Sequence, residues 1–338
     1  MRILVTGGAG YIGSHTSILL IEAGYEVVIF DNFSNSSKES INRVEKIVNR
    51  PIPLIEGDIR NRDDLREVFK NYKIDAVIHF AGLKAVGESV SQPLRYYDNN
   101  VSGTIVLCEV MGEYGCKSIV FSSSATVYGD PHTTPIKEDF PLSATNPYGR
   151  SKLFIEEILR EVFIADNEWR VVLLRYFNPV GAYKSGTIGE DPSDIPNNLM
   201  PFIAQTAVGK RDFLQVFGDD YDTHDGTGVR DYIHVMDLAD GHLKAIEKIK
   251  TFNKVMTINL GTGKGYSVLD VLKDYEEASG KKIPYKIVPR REGDITKNYA
   301  DSTYAKEILG WEAKRDMKEM CIDSWRWQSQ NPNGYNNS

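Results

Sequence analysis

The stretch Ile3-Leu4-Val5-Thr6-Gly7-Gly8-Ala9-Gly10-Tyr11-Ile12-Gly13 decides the fold of this chain. Its apolar start predicts a short buried strand, and the glycine turn leads into a helix that runs through Ile21. Gly7 permits a tight turn, Gly10 lets backbone amides approach a pyrophosphate, and Gly13 lets the helix pack on the sheet. The order of strand, glycine turn and helix therefore predicts a dinucleotide site.

An acidic residue follows the second apolar run at the distance that such a site requires. The run Glu26–Phe30 predicts a strand and ends in Asp31, which lies 18 residues after Gly13. The spacing is close to the ~20 residues expected for the acid that binds an adenosine ribose. A carboxylate there repels a 2′-phosphate, so we expect NAD rather than NADP. The alternative, a glycine turn with an incidental Asp, is disfavoured because strand, turn, helix and acid coincide.

Four further apolar runs continue the alternation of strands and helices: Pro53–Ile59, Ala76–Phe80, Ile119–Phe121 and Val171–Arg175. Six strands separated by helices predict a doubly wound parallel α/β (Rossmann) sheet. We expect an NAD-binding domain over residues 1–178 and a smaller C-terminal α/β lobe that binds substrate over 179–338. Segments around 230–260 are expected to return to the first domain.

Several polar residues stand at or near strand ends, where an open α/β sheet binds its ligand. Asp58 is a candidate for binding adenine amines, although a capping aspartate is an equal alternative. Lys84 is a candidate anion contact, although a loop lysine is usually only solvated. Asn99, on a helix predicted over Arg95–Tyr114, can bridge backbone and cofactor. His79 lies inside its strand and is interpreted as a core histidine with satisfied hydrogen bonds.

The motif Tyr148-Gly149-Arg150-Ser151-Lys152 predicts a proton-transfer group at the start of a helix. Asn146 can cap that helix and Pro147 can occupy its first turn. Tyr148 and Lys152 are then neighbours one turn apart, and a cation near the phenol favours its ionised form. A solvated Tyr/Lys pair is the alternative. The serine cluster Ser122–Ser124 at the end of a predicted strand favours the catalytic interpretation.

Composition excludes several classes of function. The chain has 338 residues, 41% of them hydrophobic, which suits two closely joined lobes, and its net charge of −7 disfavours nucleic acid or an anionic membrane as partner. Cys108, Cys116 and Cys321 show no metal or paired spacing, so we expect no metal site. The N-terminal strand leaves no room for a signal peptide and no apolar run is long enough to cross a bilayer. We expect a cytosolic protein.

The second half of the chain differs from the first in its local composition. Residues 181–196 are rich in Gly, Pro, Ser and Asp, as expected for a mobile loop that faces substrate. The segment 289–294 contains Arg290 and Arg291, which suit a diphosphate because guanidinium groups bind phosphate oxygens bidentately. A surface cluster of salt bridges is the alternative for this pair. The tail from Met317 through Trp327 predicts a final amphipathic helix.

Together these motifs resemble the UDP-glucose 4-epimerases, which are extended short-chain dehydrogenase/reductases. The resemblance rests on the order of glycine turn, serine-ended strand and Tyr148-x-x-x-Lys152, and on five further blocks: His79–Ser89, Phe121–Gly129, Arg175–Gly181, Pro196–Pro201 and Gly228–Val235. It covers nearly the whole chain. Arg150 stands where many relatives carry lysine, which leaves the motif intact.

The resemblance implies a role for each matched residue. Tyr148 resembles the catalytic base, Ser124 its hydrogen-bonding partner, and Lys152 the lysine that binds the nicotinamide ribose. The implied NAD contacts, including the glycine turn, are Gly7, Gly10, Tyr11, Ile12, Gly13, Asp31, Asn32, Asn35, Ser36, Asp58, Ile59, Phe80, Ala81, Gly82, Lys84, Asn99, Ser124, Tyr148, Lys152 and Phe177. The implied contacts to a UDP-hexose are Lys84, Ser124, Tyr148, Asn178, Asn198, Leu199, Phe217, Arg230, Tyr232, Arg291, Asp294 and Asn298. Pairing of the helices near 95–115 and 148–165 implies a homodimer.

The resemblance implies reversible C4 epimerisation of UDP-glucose and UDP-galactose through a 4-keto intermediate, with NAD tightly bound. A nucleotide-sugar 4,6-dehydratase is an alternative, but such enzymes typically place acidic or lysine side chains where this chain has Ala125-Thr126. An NAD-binding sensor without activity is a third interpretation, which the intact Ser124, Tyr148 and Lys152 disfavour.

The residue at position 298 is expected to decide how large a C2 substituent the sugar site accepts. In related epimerases this position lies beside the sugar C2 substituent, where a tyrosine accompanies restriction to UDP-glucose and UDP-galactose. Asn is smaller and can hydrogen-bond an acetamido group. We therefore expect turnover of UDP-N-acetylglucosamine and UDP-N-acetylgalactosamine too, unless Tyr299 fills the space.

Overall fold

The computed structural model describes residues 1–192, 196, 198–291 and 294–337. The segments 181–196, 196–201 and 289–294 that the sequence singled out each include residues outside this description. The strands, in chain order, are β1 (Arg2–Thr6), β2 (Glu26–Asp31), β3 (Leu54–Glu56), β4 (Ala76–His79), β5 (Ser118–Ser124), β6 (Arg170–Tyr176), β7 (Asn178–Val180), β8 (Leu214–Phe217), β9 (Val229–His234), β10 (Met256–Leu260), β11 (Gly265–Ser267), β12 (Tyr285–Val288) and β13 (Lys297–Asn298).

The helices, in chain order, are α1 (Tyr11–Glu22), α2 (Lys38–Val48), α3 (Arg62–Asn71), α4 (Val86–Ser91), α5 (Pro93–Tyr96), α6 (Gly103–Glu113), α7 (Pro147–Ala165), α8 (Leu199–Ala207), α9 (Val235–Lys248), α10 (Val268–Ser279), α11 (Thr303–Leu309) and α12 (Met317–Gln330). A π-helical turn spans Tyr97–Ser102, and 3₁₀ turns span Ala125–Tyr128, Ile249–Thr251 and Gly334–Asn337. Among the described residues, no helix combines the length and apolar character needed to cross a membrane.

The main layer is a parallel sheet with the order β10-β6-β5-β4-β1-β2-β3, a count of seven strands within the described residues. The direction of winding reverses between β1 and β4, and such a reversal opens a crevice at the carboxyl ends of the strands. The predicted doubly wound parallel α/β sheet is confirmed. β10 adds an edge strand beyond the six predicted from sequence.

Helices cover both faces of this sheet, because alternate residues of each strand point to opposite faces. Ile3 and Val5 of β1 belong to a buried cluster with residues of α1, α2 and α9, whereas Leu4 belongs to a second cluster with residues of α3, α6 and α7. All three residues are fully buried. The unbroken apolar runs of the sequence therefore reflect strands that are covered on both sides.

A smaller set of elements follows β6. Strands β7, β11 and β13 all pair with β9, and β8 pairs with β12. Helices α8, α10 and α12 contribute to the cluster that packs against them. Between these elements the chain returns to the large sheet, where β10 pairs with β6. The domain boundary at residue 178 stays a prediction.

Local capping explains where α7 begins. Asn146 accepts a hydrogen bond from Gly149 N at 2.9 Å, and Pro147 is the first helical residue, as the sequence predicts. The range Arg95–Tyr114, predicted as one helix, is helical up to Glu113 but changes its winding on the way. The end of α5 continues into the π-helical turn, which carries Asn99, and this turn continues into α6. Such π turns often accompany functional sites.

Candidate active site

The glycine turn after β1 has the close packing that a dinucleotide cradle requires. Gly7 has a φ of 67°, and a Cβ atom there would lie 2.6 Å from Ala81 N. A Cβ atom at Gly13 would lie 2.5 Å from Gly7 O. Larger side chains would therefore push α1 and the β4 loop away from the turn.

The N-terminus of α1 is suited to an anion. Gly10 at the N-cap supplies no side chain to the first amides, and the first turn contains no acidic residue. Unsatisfied amides and the positive end of the helix dipole bind phosphate groups. Tyr11 and Ile12 begin this helix, and the Tyr11 hydroxyl donates to Gly181 O at 2.7 Å. The turn therefore fits the pyrophosphate of NAD.

Asp31 organises the adenosine side of this site. Its buried carboxylate accepts from Ala9 N at 3.0 Å, Phe33 N at 2.9 Å and the Ser36 hydroxyl at 2.8 Å. Burial raises the pKa of Asp31, and these three hydrogen bonds lower it. The carboxylate thus joins the glycine turn to the loop that contains Asn35 and Ser36.

Asp58 lies close to this loop. Asn32 Nδ2 donates to it at 3.2 Å, and the Arg60 guanidinium at 2.8 Å lowers the pKa of Asp58 to about 2. The carboxylate is therefore ionised at neutral pH and can accept hydrogen bonds from an amine. Ile59, the next residue, is buried and supplies an apolar wall.

The loop after β4 connects the glycine turn with α7. Ala81 N and Phe80 N both donate to Thr6 O at 3.0 Å. A Cβ atom at Gly82 would lie 3.7 Å from Lys152 Nζ, so the loop comes close to the lysine of the motif. The predicted residue Asn99 donates to the neighbouring Asn100 at 2.9 Å.

Asn100 was missed by sequence reasoning. Its Oδ1 atom accepts from Leu83 N at 2.8 Å and from Asn99. Its Nδ2 atom donates to Leu83 O and to Ser151 Oγ, both at 3.0 Å.

His79 is a buried core residue, as the sequence predicts. Its Nδ1 contacts Thr6 Oγ1 at 2.7 Å and its Nε2 contacts Thr104 Oγ1 at 2.9 Å.

Ser124, Tyr148 and Lys152 come together at the end of β5. Burial raises the pKa of Tyr148, and the nearby Ser124 side chain lowers that pKa by a smaller amount. Ser124 Oγ also accepts from Thr126 N at 3.2 Å and Thr126 Oγ1 at 3.0 Å, which fixes its position. The Tyr148 phenol and the Ser124 hydroxyl therefore lie close to each other.

Lys152 has defined contacts with β5 that the sequence did not predict. Its ammonium group donates to Ser122 O at 2.7 Å and lies 4.9 Å from the centre of the Phe121 ring. Lys152 is 5% exposed, and burial lowers its pKa to about 8. Its contacts are with β5, and the contribution of its charge to ionisation of Tyr148 stays a prediction.

A cavity lies between β7, β8, β9 and α8. The predicted substrate contacts among its lining residues are Asn178, Asn198, Leu199, Phe217, Arg230, Tyr232, Arg291 and Asp294. Gln215 and Tyr221 also line it and were missed. The buried Tyr221 hydroxyl has no hydrogen-bond partner among the described residues. Residues that are distant in the sequence therefore line one cavity.

The arginine pair at this cavity differs from the one that the sequence suggested. Arg290 pairs with Asp220 at 2.6 Å and stacks on the Tyr221 ring, so it acts in a surface salt bridge. Arg291 instead shares the cavity with Arg230, and both contact Asp294, at 3.0 and 3.1 Å. Two guanidinium groups and one carboxylate leave a net positive charge, which suits a diphosphate.

Glu190 connects this cavity with the loop after β4 and was missed by sequence reasoning. Its Oε1 atom accepts from Lys84 Nζ and from Asn198 Nδ2, both at 3.2 Å. The Trp327 indole donates to Glu190 O at 3.1 Å and holds the backbone in place. The predicted mobile loop is therefore anchored at this residue.

Asn298 lies next to Arg230 in the pairing of β13 with β9. Its Oδ1 atom is buried without a hydrogen-bond partner among the described residues. The following residue, Tyr299, directs its ring against Gly265, where a Cβ atom would lie 3.2 Å from the ring. Phe177, the last predicted cofactor contact, is buried between β6 and β7.

A cluster of potential metal ligands, His224, Asp225 and Asp270, lies on the surface near α10. Both carboxylates already have structural partners. Asp270 accepts from Ser267 N at 3.0 Å in a capping box, and Asp225 accepts from Thr227 N at 2.9 Å. These hydrogen bonds account for the arrangement.

Comparison with known proteins identifies relatives along the whole chain. A family model described as GDP-mannose 4,6 dehydratase matches residues 4–324. A UDP-glucose 4-epimerase of Bacillus subtilis (strain 168) is 62% identical over 335 residues, covering 99% of each chain. A UDP-glucose 4-epimerase of Dictyostelium discoideum is 59% identical over 338 residues, covering 100% of this chain and 98% of that one.

A solved structure agrees with these relatives. The UDP-glucose 4-epimerase of Bifidobacterium longum, in complex with NAD⁺ and UDP, superposes with a TM-score of 0.96 at 55% identity and covers 99% of this chain and 100% of its own. The family model carries the name of a dehydratase, whereas the full-length relatives are epimerases. By sequence and by fold, this chain belongs to the UDP-glucose 4-epimerase family.

Proposed function

We propose that the protein interconverts UDP-glucose and UDP-galactose by epimerisation at C4, with NAD as a tightly bound cofactor. One observation carries the proposal: the Ser124–Tyr148–Lys152 group lies between the two binding regions. Gly82, near the glycine turn, approaches Lys152, and Ser124 pairs in register with Tyr176, two residues before Asn178 in the cavity. A sugar held by the cavity can therefore reach the hydroxyl, the phenol and the cofactor together.

The cofactor and three side chains have separate roles in this reaction. NAD, when bound, takes up the hydride from C4 and returns it. Tyr148 accepts the proton of the sugar 4-hydroxyl, and Ser124 orients that hydroxyl by hydrogen bonding. Lys152 adds positive charge beside the ribose site and favours the phenolate. The same groups return the proton after the 4-keto sugar has turned its other face.

Turning of the sugar requires firm binding of the nucleotide and a loose hexose site. Arg230 and Arg291 bind the diphosphate, while Phe217 and Tyr232 provide apolar surface for the uridine. Asn178 and Asn198 add polar contacts near the sugar. Binding energy at a remote, unreactive group orients the reacting group in this way.

The N-acetylated sugars form a second part of the proposal. The buried Asn298 Oδ1 atom, which has no hydrogen-bond partner within the described part of the chain, can accept a hydrogen bond from an acetamido N–H group. The position of Tyr299 supports this part of the proposal, since its ring packs near Gly265 and its carbonyl accepts from Ile136 N at 2.9 Å. We propose that UDP-N-acetylglucosamine is also a substrate.

We propose a homodimer that pairs the α4–α7 surface of two copies. Val90 and Leu94 are strongly exposed, at 64% and 81%, and Phe154 of α7 is 43% exposed. The ring of Phe154 lies 5.9 Å from Tyr97, which joins α7 to the same surface. Exposed apolar residues that cluster on one face mark interaction sites.

Incubation of the purified protein with UDP-galactose tests the proposed function, with chromatography of the nucleotide sugars as readout. We expect UDP-glucose to accumulate to an equilibrium mixture without net reduction of NAD. Formation of a 4-keto-6-deoxy sugar would instead support the dehydratase alternative. Absence of any conversion by protein that contains NAD would support the sensor.

A further inference from the structure

Helix α7 contacts the end of β5 through three side chains on one stripe. Tyr148, Lys152 and Glu156 follow one another at four-residue intervals, so they lie on the same side of the helix. Tyr148 lies near the Ser124 side chain, and the Lys152 ammonium donates to Ser122 O at 2.7 Å. The third residue, Glu156, accepts from the Ser123 hydroxyl at 2.5 Å.

Glu156 also binds an arginine on the neighbouring strand. Arg175 Nε donates to Glu156 Oε1 at 2.8 Å and Arg175 Nη2 donates to Oε2 at 2.6 Å, which makes a bidentate pair. Glu156 is fully buried and Arg175 is 1% exposed. Arg175 is the register partner of Ser123 between β6 and β5. The pair therefore fixes α7 against two adjacent strands.

Arg175 extends the contact to the turn that follows Ser124. Its Nη1 atom donates to the Tyr128 hydroxyl at 3.0 Å and to Glu138 O at 3.1 Å. Tyr128 ends the 3₁₀ turn that begins directly after Ser124, and Thr126 within this turn donates to Ser124 Oγ. A closed path of contacts thus runs from Ser124 through the turn, Arg175, Glu156 and α7 back to Tyr148.

We propose that Glu156 and Arg175 are positioning residues that set the separation of Ser124, Tyr148 and Lys152, an inference that rests on the proposed function. Stability alone is a poor reason for this arrangement, because a buried ion pair can often be replaced by apolar side chains without loss of stability. A bidentate pair of guanidinium and carboxylate, with further hydrogen bonds at fixed angles, instead fixes the relative positions of the elements that it joins. Displacement of reacting groups by about 1 Å costs on the order of 10²-fold in rate.

The test uses the full-length protein with NAD bound. Arg175→Lys keeps the positive charge but cannot bond Glu156 bidentately and reach Tyr128 at the same time. We expect kcat for UDP-galactose to fall about 10- to 100-fold, with KM and NAD content unchanged. The acid limb of the kcat profile should move to higher pH, because Ser124 and Lys152 support the Tyr148 phenolate less well. A pair that only stabilises the fold would not move that limb.

A second variant separates position from stability. Glu156→Met together with Arg175→Met replaces both partners by apolar side chains of similar length, and we expect near-native thermal stability with reduced kcat. Arg160→Gln is the matched control, since Arg160 also contacts Glu156, at 3.3 Å, but from the outer side. We expect kcat of this control to equal that of the wild type.

The outcomes are distinct. Wild-type kcat and an unchanged pH profile in Arg175→Lys, or in a folded double variant, would overturn the inference. If the double variant does not fold, the Arg175→Lys result decides alone. Lack of epimerase activity in the wild-type protein would refute the proposed function, which the same assay measures first.

Discussion

The Glu190 carboxylate lies 3.2 Å from the Lys84 ammonium, so residues 106 positions apart meet between the glycine-turn region and the arginine-lined cavity. The Glu190 side chain is 11% exposed, and its Oε1 atom also accepts from Asn198. Its loop is tied to α12, because Trp327 donates to Glu190 O and packs on Gly189. This carboxylate therefore joins a proposed NAD contact to a proposed substrate contact.

Glu190→Gln should release NAD faster than the wild type. Glutamine keeps the shape of the side chain but removes the charge that holds Lys84 beside the crevice. An ion pair of this exposure contributes up to about 1 kcal/mol, which corresponds to an increase in the rate of about 5-fold. The amount of NAD that stays with the protein, separated by rapid gel filtration at successive times after dilution, measures the rate. Glu168→Gln, which removes a surface partner of Lys117, is the control, and equal rates in all three proteins would contradict the prediction.

Tyr148→Phe should lower kcat by several orders of magnitude while NAD stays bound. The phenol is the proposed proton acceptor, whereas the cofactor contacts of the glycine turn and Asp31 do not depend on its hydroxyl. Turnover of UDP-galactose and the NAD content of the purified variant measure the two effects. Turnover close to the wild type would refute the assignment of the base.

The sequence was sufficient to predict the large sheet except for its edge strand β10, because each of the other six strands is a local pattern. β1 and β4 contain the apolar runs Ile3–Val5 and Ala76–Ile78, and the glycine turn and the Asn146 cap are local as well. The motifs also predicted that Tyr148 lies near Ser124, whereas the effect of Lys152 on Tyr148 stays a prediction. Local periodicity and capping therefore carried most of the fold and part of the site.

The remaining contacts depend on pairs that are distant in the chain. Glu190 reaches Lys84, and Arg230 rather than Arg290 partners Arg291, because packing of the second set of strands decides these neighbours. Arg175 has an ordinary strand position in the sequence, and only its burial against Glu156 marks it. No local pattern specifies these tertiary contacts.

His242→Phe should weaken the dependence of stability on acid pH. His242 is fully buried, its Nδ1 donates to Leu238 O at 2.9 Å, and burial lowers its pKa to about 4. The unfolded chain takes up this proton near pH 6.5, so the contribution to stability is complete above pH 6.5 and is lost as pH falls toward 4. The loss amounts to about 1.4 kcal/mol per pH unit over that window.

Urea unfolding of wild type and variant at pH 7 and pH 4.5 measures this difference. Phenylalanine keeps an aromatic ring beside Phe80, whose ring centre lies 4.7 Å from that of His242. The variant should lose less stability than the wild type on acidification. His132→Phe, at an exposed position, is the control and should follow the wild type. Parallel pH profiles of all three proteins would show that His242 does not contribute.

Leu94→Glu should convert the proposed dimer to monomer. The side chain is exposed in the single chain, and a carboxylate there would be buried without a partner at the pairing surface of α4–α7. Sedimentation velocity at micromolar concentration measures the change in mass. Ile287→Glu is the control, since Ile287 is an exposed aliphatic residue on β12 and should leave the dimer intact. A monomeric wild-type protein at the same concentration would refute the proposal.

Asn298→Tyr should remove turnover of N-acetylated UDP-sugars selectively. The larger ring would fill the space that the proposal gives to the acetamido group and would remove the buried amide oxygen that accepts its N–H. We expect kcat/KM for UDP-N-acetylglucosamine to fall by about 10²-fold or more, since steric exclusion discriminates strongly, while UDP-galactose turnover stays within a few-fold of the wild type. Asn298→Ala is the control. It keeps the space but loses the hydrogen bond, so it should retain part of the activity toward the N-acetylated sugar. A wild-type protein that turns over UDP-galactose but neither UDP-N-acetylglucosamine nor UDP-N-acetylgalactosamine would show that Asn298 does not open the site.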